Sequence, residues 1–571
     1  MQPTSLNERK DVVSRRFTAG AVATVAALAT VLAGQSSMAG AAPSTTTEYT
    51  VVAEKGVSAD AAIAAIRAAG GTVVSRTDSL GMFQVRSDRA DFASRAAAAE
   101  ALVGAAQQKA IGRAPKVDRV EQEHLLADAQ SKGAGAVSGT SATGMDPLDD
   151  KLWGLSMIHA DKARQTEPGK RGVTVGVLDT GLDASNPDLA ANFSWSLSKN
   201  FAPDMTDVDG PCEVAGCLDP VGTDDGGHGS HVAGTIGAAA NGFGVSGVAP
   251  NVTLVELKGG QDSGYFFLNP VVNALVHAGD VGLDVVNMSF YVDPWLYNCT
   301  ANPADSPEAQ AEQQVIIEGM NRALSYAHDK GVTLVGALGN NHEDLGKPRT
   351  DTSSPDYGAP AYPRPIDNSS CWDLPVEGPH VIGVSALGPS GKKSDFSNYG
   401  VEQISVSAPG GWFRDGYGTS SYRTDANMIL SSYPKKVLQE EGSVDKHGNV
   451  VPAARSFVFK ECTKAGVCGY YTYLQGTSMA SPHAAGVASL IVSKFGKADN
   501  ELGGLRMPPA LVEKQLYATA AEHACPDPRL QTYTNEGRST EFNAYCEGDE
   551  EFNGFYGYGI VDAYAAVTTP M

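Results

Sequence analysis

The chain runs to 571 residues, 42% of them hydrophobic, with 63 glycines and a formal net charge of -22 at pH 7. That length exceeds what one ordinary core fills, so at least two folded units are expected. The acidic balance argues against nucleic acid or an anionic membrane as a partner and suits a soluble protein working outside the cell.

Arg9, Lys10, Arg15 and Arg16 form a basic start, and Phe17 to Gly34 follows as an uncharged run rich in Ala, Val and Thr. Small residues at Ala39-Gly40-Ala41-Ala42 supply a cleavage site, so residues 1–42 read as a secretory signal peptide. Ser14-Arg15-Arg16-Phe17 is similar to a bacterial twin-arginine signal, with Sec export as the alternative. The run is a weak membrane span because Ala, Thr and Gly dominate it, so no stable anchor is expected.

Residues 46–127 form a separate block. Tyr49-Thr50-Val51-Val52 reads as a strand and 59–69 as an Ala-rich helix stopped by Gly70-Gly71. Thr72-Val73-Val74 and Met82-Phe83-Gln84-Val85 read as two more strands, 92–103 as a second helix and 117–121 as a last strand. That β-α-β-β-α-β order predicts a small α+β, ferredoxin-like domain. A Gly/Ser/Ala-rich stretch over 128–149 reads as a linker.

From residue 150 to 571 strands and helices alternate, with strands expected at 173–179, 252–257, 284–289, 332–338 and 380–385. This alternation predicts an α/β fold with a doubly wound parallel sheet, whose ligand sites lie at the C-terminal ends of the strands. The first of these strands ends in Asp179-Thr180-Gly181, and Gly226-Gly227-His228-Gly229 opens an apolar helix. Another strand ends in Gly339-Asn340, and Gly476-Thr477-Ser478-Met479-Ala480-Ser481-Pro482-His483 leads into the apolar run 484–492. A serine at a helix N-terminus sits beside unpaired backbone N–H groups, which can stabilise an oxyanion. With an imidazole to take its proton and a carboxylate to orient the imidazole, that serine can act as a nucleophile. The three residue types stand at predicted element ends in the order Asp…His…Ser, which is the chain order of the subtilisin triad.

On these four motifs the chain resembles the subtilisin-like serine proteases, or subtilases. The resemblance implies a serine endopeptidase with Ser478 as nucleophile, His228 as general base, Asp179 as orienting carboxylate and Asn340 as side-chain donor to the oxyanion. It implies protein or peptide substrates, no cofactor for catalysis, and an N-terminal block acting as a folding chaperone and intramolecular inhibitor until removed. Substrate would run between two short strands, here Ser263-Gly264-Tyr265 and Ser289-Phe290-Tyr291, with Gly339 beside them. Phe290-Tyr291-Val292 is bulkier than the family pattern, Leu338 replaces a small residue and Ser230 stands for threonine, which sets broad specificity in doubt. The stretch 412–473 exceeds the family core and reads as a surface insertion.

All eight cysteines lie between Cys212 and Cys546, and an even count in an exported chain predicts disulfides. The short loops suggest Cys212 with Cys217 and Cys462 with Cys468, leaving Cys299 with Cys371 and Cys525 with Cys546. Asp204, Asp207, Asp209, Asp219, Asp224 and Asp225 crowd one loop. Carboxylates there suit Ca²⁺, a frequent structural cofactor of the family, and suit a solvated acidic loop equally. An α/β-hydrolase esterase would need G-x-S-x-G and the order Ser…Asp…His, which the sequence breaks. A non-catalytic relative would have lost one of Asp179, His228, Asn340 or Ser478.

Overall fold

A computed structural model describes residues 46–107, 146–356 and 359–571. The segment expected to be a signal peptide, the strand expected at 117–121 and most of the expected 128–149 linker lie outside the described residues.

The N-terminal block is built from β1 (Thr47–Ala53), α1 (Ala59–Ala69), β2 (Thr72–Thr77), β3 (Met82–Ser87), α2 (Phe92–Ala97) and β4 (Leu102–Gln107). Its strands pair antiparallel in the order β2-β3-β1-β4, the ferredoxin-like arrangement. The helix expected over 92–103 stops at Ala97, and its last residues belong instead to a strand, 102–107, that closes the described part of the sheet. Alanine-rich sequence favours a helix locally, but pairing of Leu102–Gln107 with β1 overrides that preference. The small residues have a second use, since a Cβ on Gly104 would stand 3.2 Å from Val315 Cγ2 on the helix beneath. Successive residues of β1 face opposite ways: Val51 joins the cluster under α1 and α2, and Val52 joins a cluster shared with the large domain.

The large domain carries β5 (Thr174–Asp179), β6 (Lys199–Asn200), α3 (His228–Gly237), β7 (Thr253–Lys258), α4 (Leu268–Asp280) and β8 (Val285–Met288). It continues with α5 (Pro307–Asp329), β9 (Thr333–Ala337), β10 (Val381–Leu387), β11 (Val406–Pro409) and, further on, α6 (Thr477–Phe495). Seven parallel strands lie in the order β11-β10-β9-β8-β5-β7-β6. The sheet is buried on both faces, as a parallel sheet must be. Val175 and Val177 face the cluster that holds α6, and Leu178 faces the one that holds α4 and α5. From β5 the chain winds outward to β6 and β7, then returns to the other side of β5 at β8. The crevice at that reversal is where Asp179 and Ser289 emerge.

The N-terminal sheet packs on α5 of the same compact unit, where Arg322 Nη1 donates to Leu80 O at 2.8 Å and Lys55 pairs with Glu318 at 3.3 Å. The two short-loop disulfides pair as the spacing suggested, and Cys299–Cys371 and Cys525–Cys546 complete the set as expected. The insertion is partly at the surface and partly in the core. Its β12 (Ile429–Ser432), β13 (Val458–Cys462) and β14 (Cys468–Leu474) form an antiparallel sheet in the order β12-β14-β13. β12 is wholly buried against α3, because Ile429, Leu430 and Tyr471 belong to the main core.

Candidate active site

Asp179 ends β5 fully buried, and its Oδ1 lies 2.8 Å from His228 Nδ1. The Thr180 N–H donates to the same oxygen at 2.8 Å. Burial pushes Asp179 above the usual carboxylate range, against the pull of His228 and of that N–H. His228 is the first residue of α3, and its side chain is 14% exposed.

The local sequence explains why the histidine stands there. Gly227 turns the chain with φ 88°, and the next glycine of the helix, Gly229, packs on the Asp-Thr-Gly turn. A Cβ on Gly229 would stand 2.1 Å from Gly181 O. Asp224 completes the junction by accepting from Gly227 N (2.8 Å), Ser230 N (2.9 Å), Ser230 Oγ (2.6 Å) and Thr180 Oγ1 (2.9 Å). Ser230 Oγ in turn accepts the Asp183 N–H at 2.8 Å, so the serine that replaces threonine braces the site.

Ser478 lies at the N-terminus of α6, which packs beside α3, and its Oγ donates to Ser289 O at 3.2 Å. Asn340 Oδ1 accepts from Thr477 N (2.9 Å) and Thr477 Oγ1 (3.0 Å), which orients the amide. A Cβ on Gly476 would stand 3.5 Å from Asn340 Nδ2 and 3.6 Å from Ser478 N. Two N–H donors therefore border the same small space, the geometry an oxyanion needs.

His231, one turn after His228, points the other way. It is fully buried, and its Nε2 contacts Ile429 O at 3.0 Å and Thr472 O at 3.2 Å. Burial and the neighbouring His228 lower it to about 3, so it is a neutral donor tying α3 to β12 and β14.

The substrate-flanking segments depart from expectation. Ser263 and Gly264 do not lie on an extended strand but in a tight loop closed by a bridge between Gly260 and Phe266. Gly264 takes φ 90°, and the Ser263 N–H is drawn to Asp209 Oδ1 at 3.0 Å. Phe266 stacks on Phe290, centroids 4.0 Å apart. Ser289 directs its side chain inward to Ser481 Oγ at 2.9 Å, leaving its carbonyl to Ser478. Leu338 is fully buried with Leu296 and Val376, and Gly339 takes φ 102° with no room for a side chain.

The acidic loop splits by role. Asp224 serves the α3 junction, and Asp209 caps Met205 N and Ser263 N. Lys258 Nζ, buried, pairs with Asp219 at 3.3 Å and Asp262 at 2.5 Å. Asp204, Glu213 and Asp262 bring oxygens within 4.8 Å of one another, as do Asp219, Asp225 and Asp262. Asp204 is buried with neither oxygen bonded, and burial with Asp262 and Asp219 pushes it up to about 7. These residues fit a hard cation at Asp204 better than at Asp207, Asp209 or Asp224.

Sequence reasoning missed Thr477 and Asn398. Asn398 Nδ2 donates to Leu338 O at 3.0 Å, and its Oδ1 accepts from Asn341 N at 2.9 Å and Glu343 N at 3.0 Å, clamping the turn that presents Asn340. The only available signal was Thr477's place inside the serine motif.

The Subtilase family profile (Peptidase_S8) matches residues 170–559. Subtilisin DY of Bacillus licheniformis is 29% identical over 343 residues, covering 60% of this chain and 85% of its own. Fervidolysin of Fervidobacterium pennivorans is 28% identical over 375 residues, 63% of this chain but 40% of its own length. Among solved structures, the epidermin leader peptide processing serine protease of Staphylococcus aureus is similar in fold, with a TM-score of 0.58 at 19% identity, over 92% of this chain and 98% of that one. Fervidolysin's structure gives a TM-score of 0.52 at 21% identity, over 92% of this chain and 61% of that one. Among the described residues no helix is long and apolar enough to cross a membrane.

Proposed function

The chain belongs to the subtilase family and is a serine endopeptidase, and we propose that Asp179, His228 and Ser478 are its catalytic triad with Asn340 as oxyanion donor. Ser478 Oγ attacks the scissile carbonyl while His228 Nε2 takes its proton. Asp179, bonded at Nδ1, fixes the tautomer and stabilises the imidazolium. The developing oxyanion is met by Asn340 Nδ2 and Ser478 N. His228 returns the proton to the leaving amine, and water then hydrolyses the acyl-enzyme by the same steps. The observation that carries this assignment is the 2.8 Å contact between His228 Nδ1 and the fully buried Asp179, set beside the two donors around Gly476.

The enzyme is made as an exported, self-processing zymogen. A basic, then apolar N-terminus directs secretion, and the 46–107 domain, lying on α5, acts as folding aid and inhibitor. Its continuation would enter the cleft with Leu125-Leu126 in the non-primed subsites, and scission would fall between about Ala127 and Met145. A structural calcium ion would be held by Asp204, Glu213 and Asp262. It takes no part in the chemistry.

Casein digestion with and without a sulfonyl fluoride tests the activity, and peptide release insensitive to that reagent would sink the assignment. Mass spectrometry of Ser478→Ala, exported from a host lacking other proteases, tests self-processing. An unprocessed precursor is expected; maturation at the same bond as the unmutated chain would rule it out.

A further inference from the structure

Asp373 is 4% exposed and lies between the two segments that flank Ser478. On one side Leu374 O accepts the Val292 N–H at 3.0 Å, joining this backbone to the segment that continues from Ser289. On the other, Asp373 Oδ2 stands 3.4 Å from where a Cβ on Gly339 would be, one residue before Asn340. The Cys299–Cys371 bridge and the Glu377 Oε2 contact to Asp373 N at 2.5 Å fix its backbone.

Asn398 Nδ2 borders the same point at Gly339 but donates to Leu338 O, and the charges acting on the Asp373 carboxylate are both negative, Glu377 and Asp351. The buried guanidinium of Arg364 is committed to Asp305 at 2.8 Å and Asp351 at 3.0 Å. The Tyr297 hydroxyl, in a residue 3% exposed, is buried without a partner, and after burial itself the Asp373 charge is what most raises its pKa. Apolar Leu296, Leu338 and Val376 complete the surroundings. With Glu377 and Asp351 the nearest charges, burial drives Asp373 well above the usual carboxylate range. A lone buried carboxylate is costly, and a cation brought beside it removes that cost.

We propose that Asp373 is a specificity-determining residue that receives the ammonium or guanidinium of a lysine or arginine whose carbonyl Ser478 attacks. The inference rests on the roles given above to Ser478 and Asn340. With the scissile carbonyl held at Asn340, the side chain beside that carbonyl departs into the slot between Gly339 and the Ser289–Val292 segment, which Asp373 closes. Apolar walls ending in a carboxylate match an aliphatic stem ending in a charge.

The test uses the full chain as purified and a series of otherwise identical quenched peptides with Lys, Arg, Gln, Leu or Phe before the scissile bond. Cleavage sites are read by mass spectrometry, and a fluorophosphonate probe reports serine reactivity. Lys and Arg peptides should exceed Leu and Phe peptides in kcat/KM by on the order of 100-fold. Asp373→Asn should collapse that ratio while the serine still labels. Asp373→Gly provides the same readout if the asparagine variant does not fold. A preference of the unmutated chain for Leu, Phe or Gln, or an unchanged ratio in either variant, overturns the proposal and leaves the peptidase assignment standing. Absence of both cleavage and labelling overturns the assignment, and the proposal with it.

Discussion

The catalytic edge of the cleft and the slot beside it rise from neighbouring strand ends, yet their polar groups are supported differently. At the edge, the groups proposed to perform the chemistry are aimed by others: Asp179 holds His228, Thr477 holds Asn340, and Asp224 holds the turn before the helix. In the slot, the Tyr297 hydroxyl is buried with no partner, and beside it the buried Asp373 carboxylate has only like charges, Glu377 and Asp351, acting on it. The edge is complete before substrate arrives, as preorganised catalysis requires. The slot is completed by substrate, as selective recognition requires.

The largest effects should follow from breaking the edge. His228→Ala should leave the fold intact and lower kcat by on the order of 10⁴–10⁶, because triad members act as a unit. Near-normal turnover would contradict His228 as the base. Asn340→Ala should cost about 10²–10³ in kcat with little change in KM, since the donor acts on the transition state. An equal rise in KM would make Asn340 a ground-state binder and blur the distinction between edge and slot.

A smaller effect separates the two histidines of α3. Replacing His231 by alanine leaves two buried carbonyls, Ile429 O and Thr472 O, without this donor, at a cost of about 3 kcal/mol in denaturant unfolding. Its folded pKa of about 3 lies below the unfolded value of 6.5, so only the unfolded chain takes up this proton as pH falls between them. Stability from His231 is therefore full above 6.5 and is lost towards pH 3, by roughly 3 kcal/mol at pH 4.5. His231→Gln should show a shallower loss than the unmutated chain over that window. Parallel curves would mean the imidazole is not held neutral.

The smallest effect concerns the acidic loop. Saturating calcium should raise the melting temperature by about 2–5 °C over chelator, and Asp204→Asn should abolish the rise. Identical melting in both conditions removes the cation from the account.

The placement of the proposed catalytic residues at one edge was legible in the sequence because it depends on short, contiguous signals. A strand ending in Asp-Thr-Gly, a glycine turn before His228 and a glycine-flanked serine at a helix start each state a residue and its backbone geometry together. The parallel sheet was legible for a related reason, since strands buried on both faces read as continuous apolar runs. The slot was not legible, because Asp373 acquires its meaning only when residues far apart in sequence, Gly339 and Val292, are brought to either side of it. The same holds for the insertion, whose burial is set by contact with α3. Local sequence misled at the end of 92–103, where alanine content favoured a continued helix but the helix stops at Ala97 and pairing with β1 makes a strand from Leu102. It misled again at Ser263-Gly264, where Asp209 and a left-handed glycine close a loop.

Labelling with a fluorophosphonate probe, followed by mass spectrometry of the digested protein, tests the central claim most directly. The adduct should lie on Ser478, vanish in Ser478→Ala and fall sharply in His228→Ala. An adduct on another serine, or labelling that survives in Ser478→Ala, would contradict the assignment of Ser478 as the nucleophile.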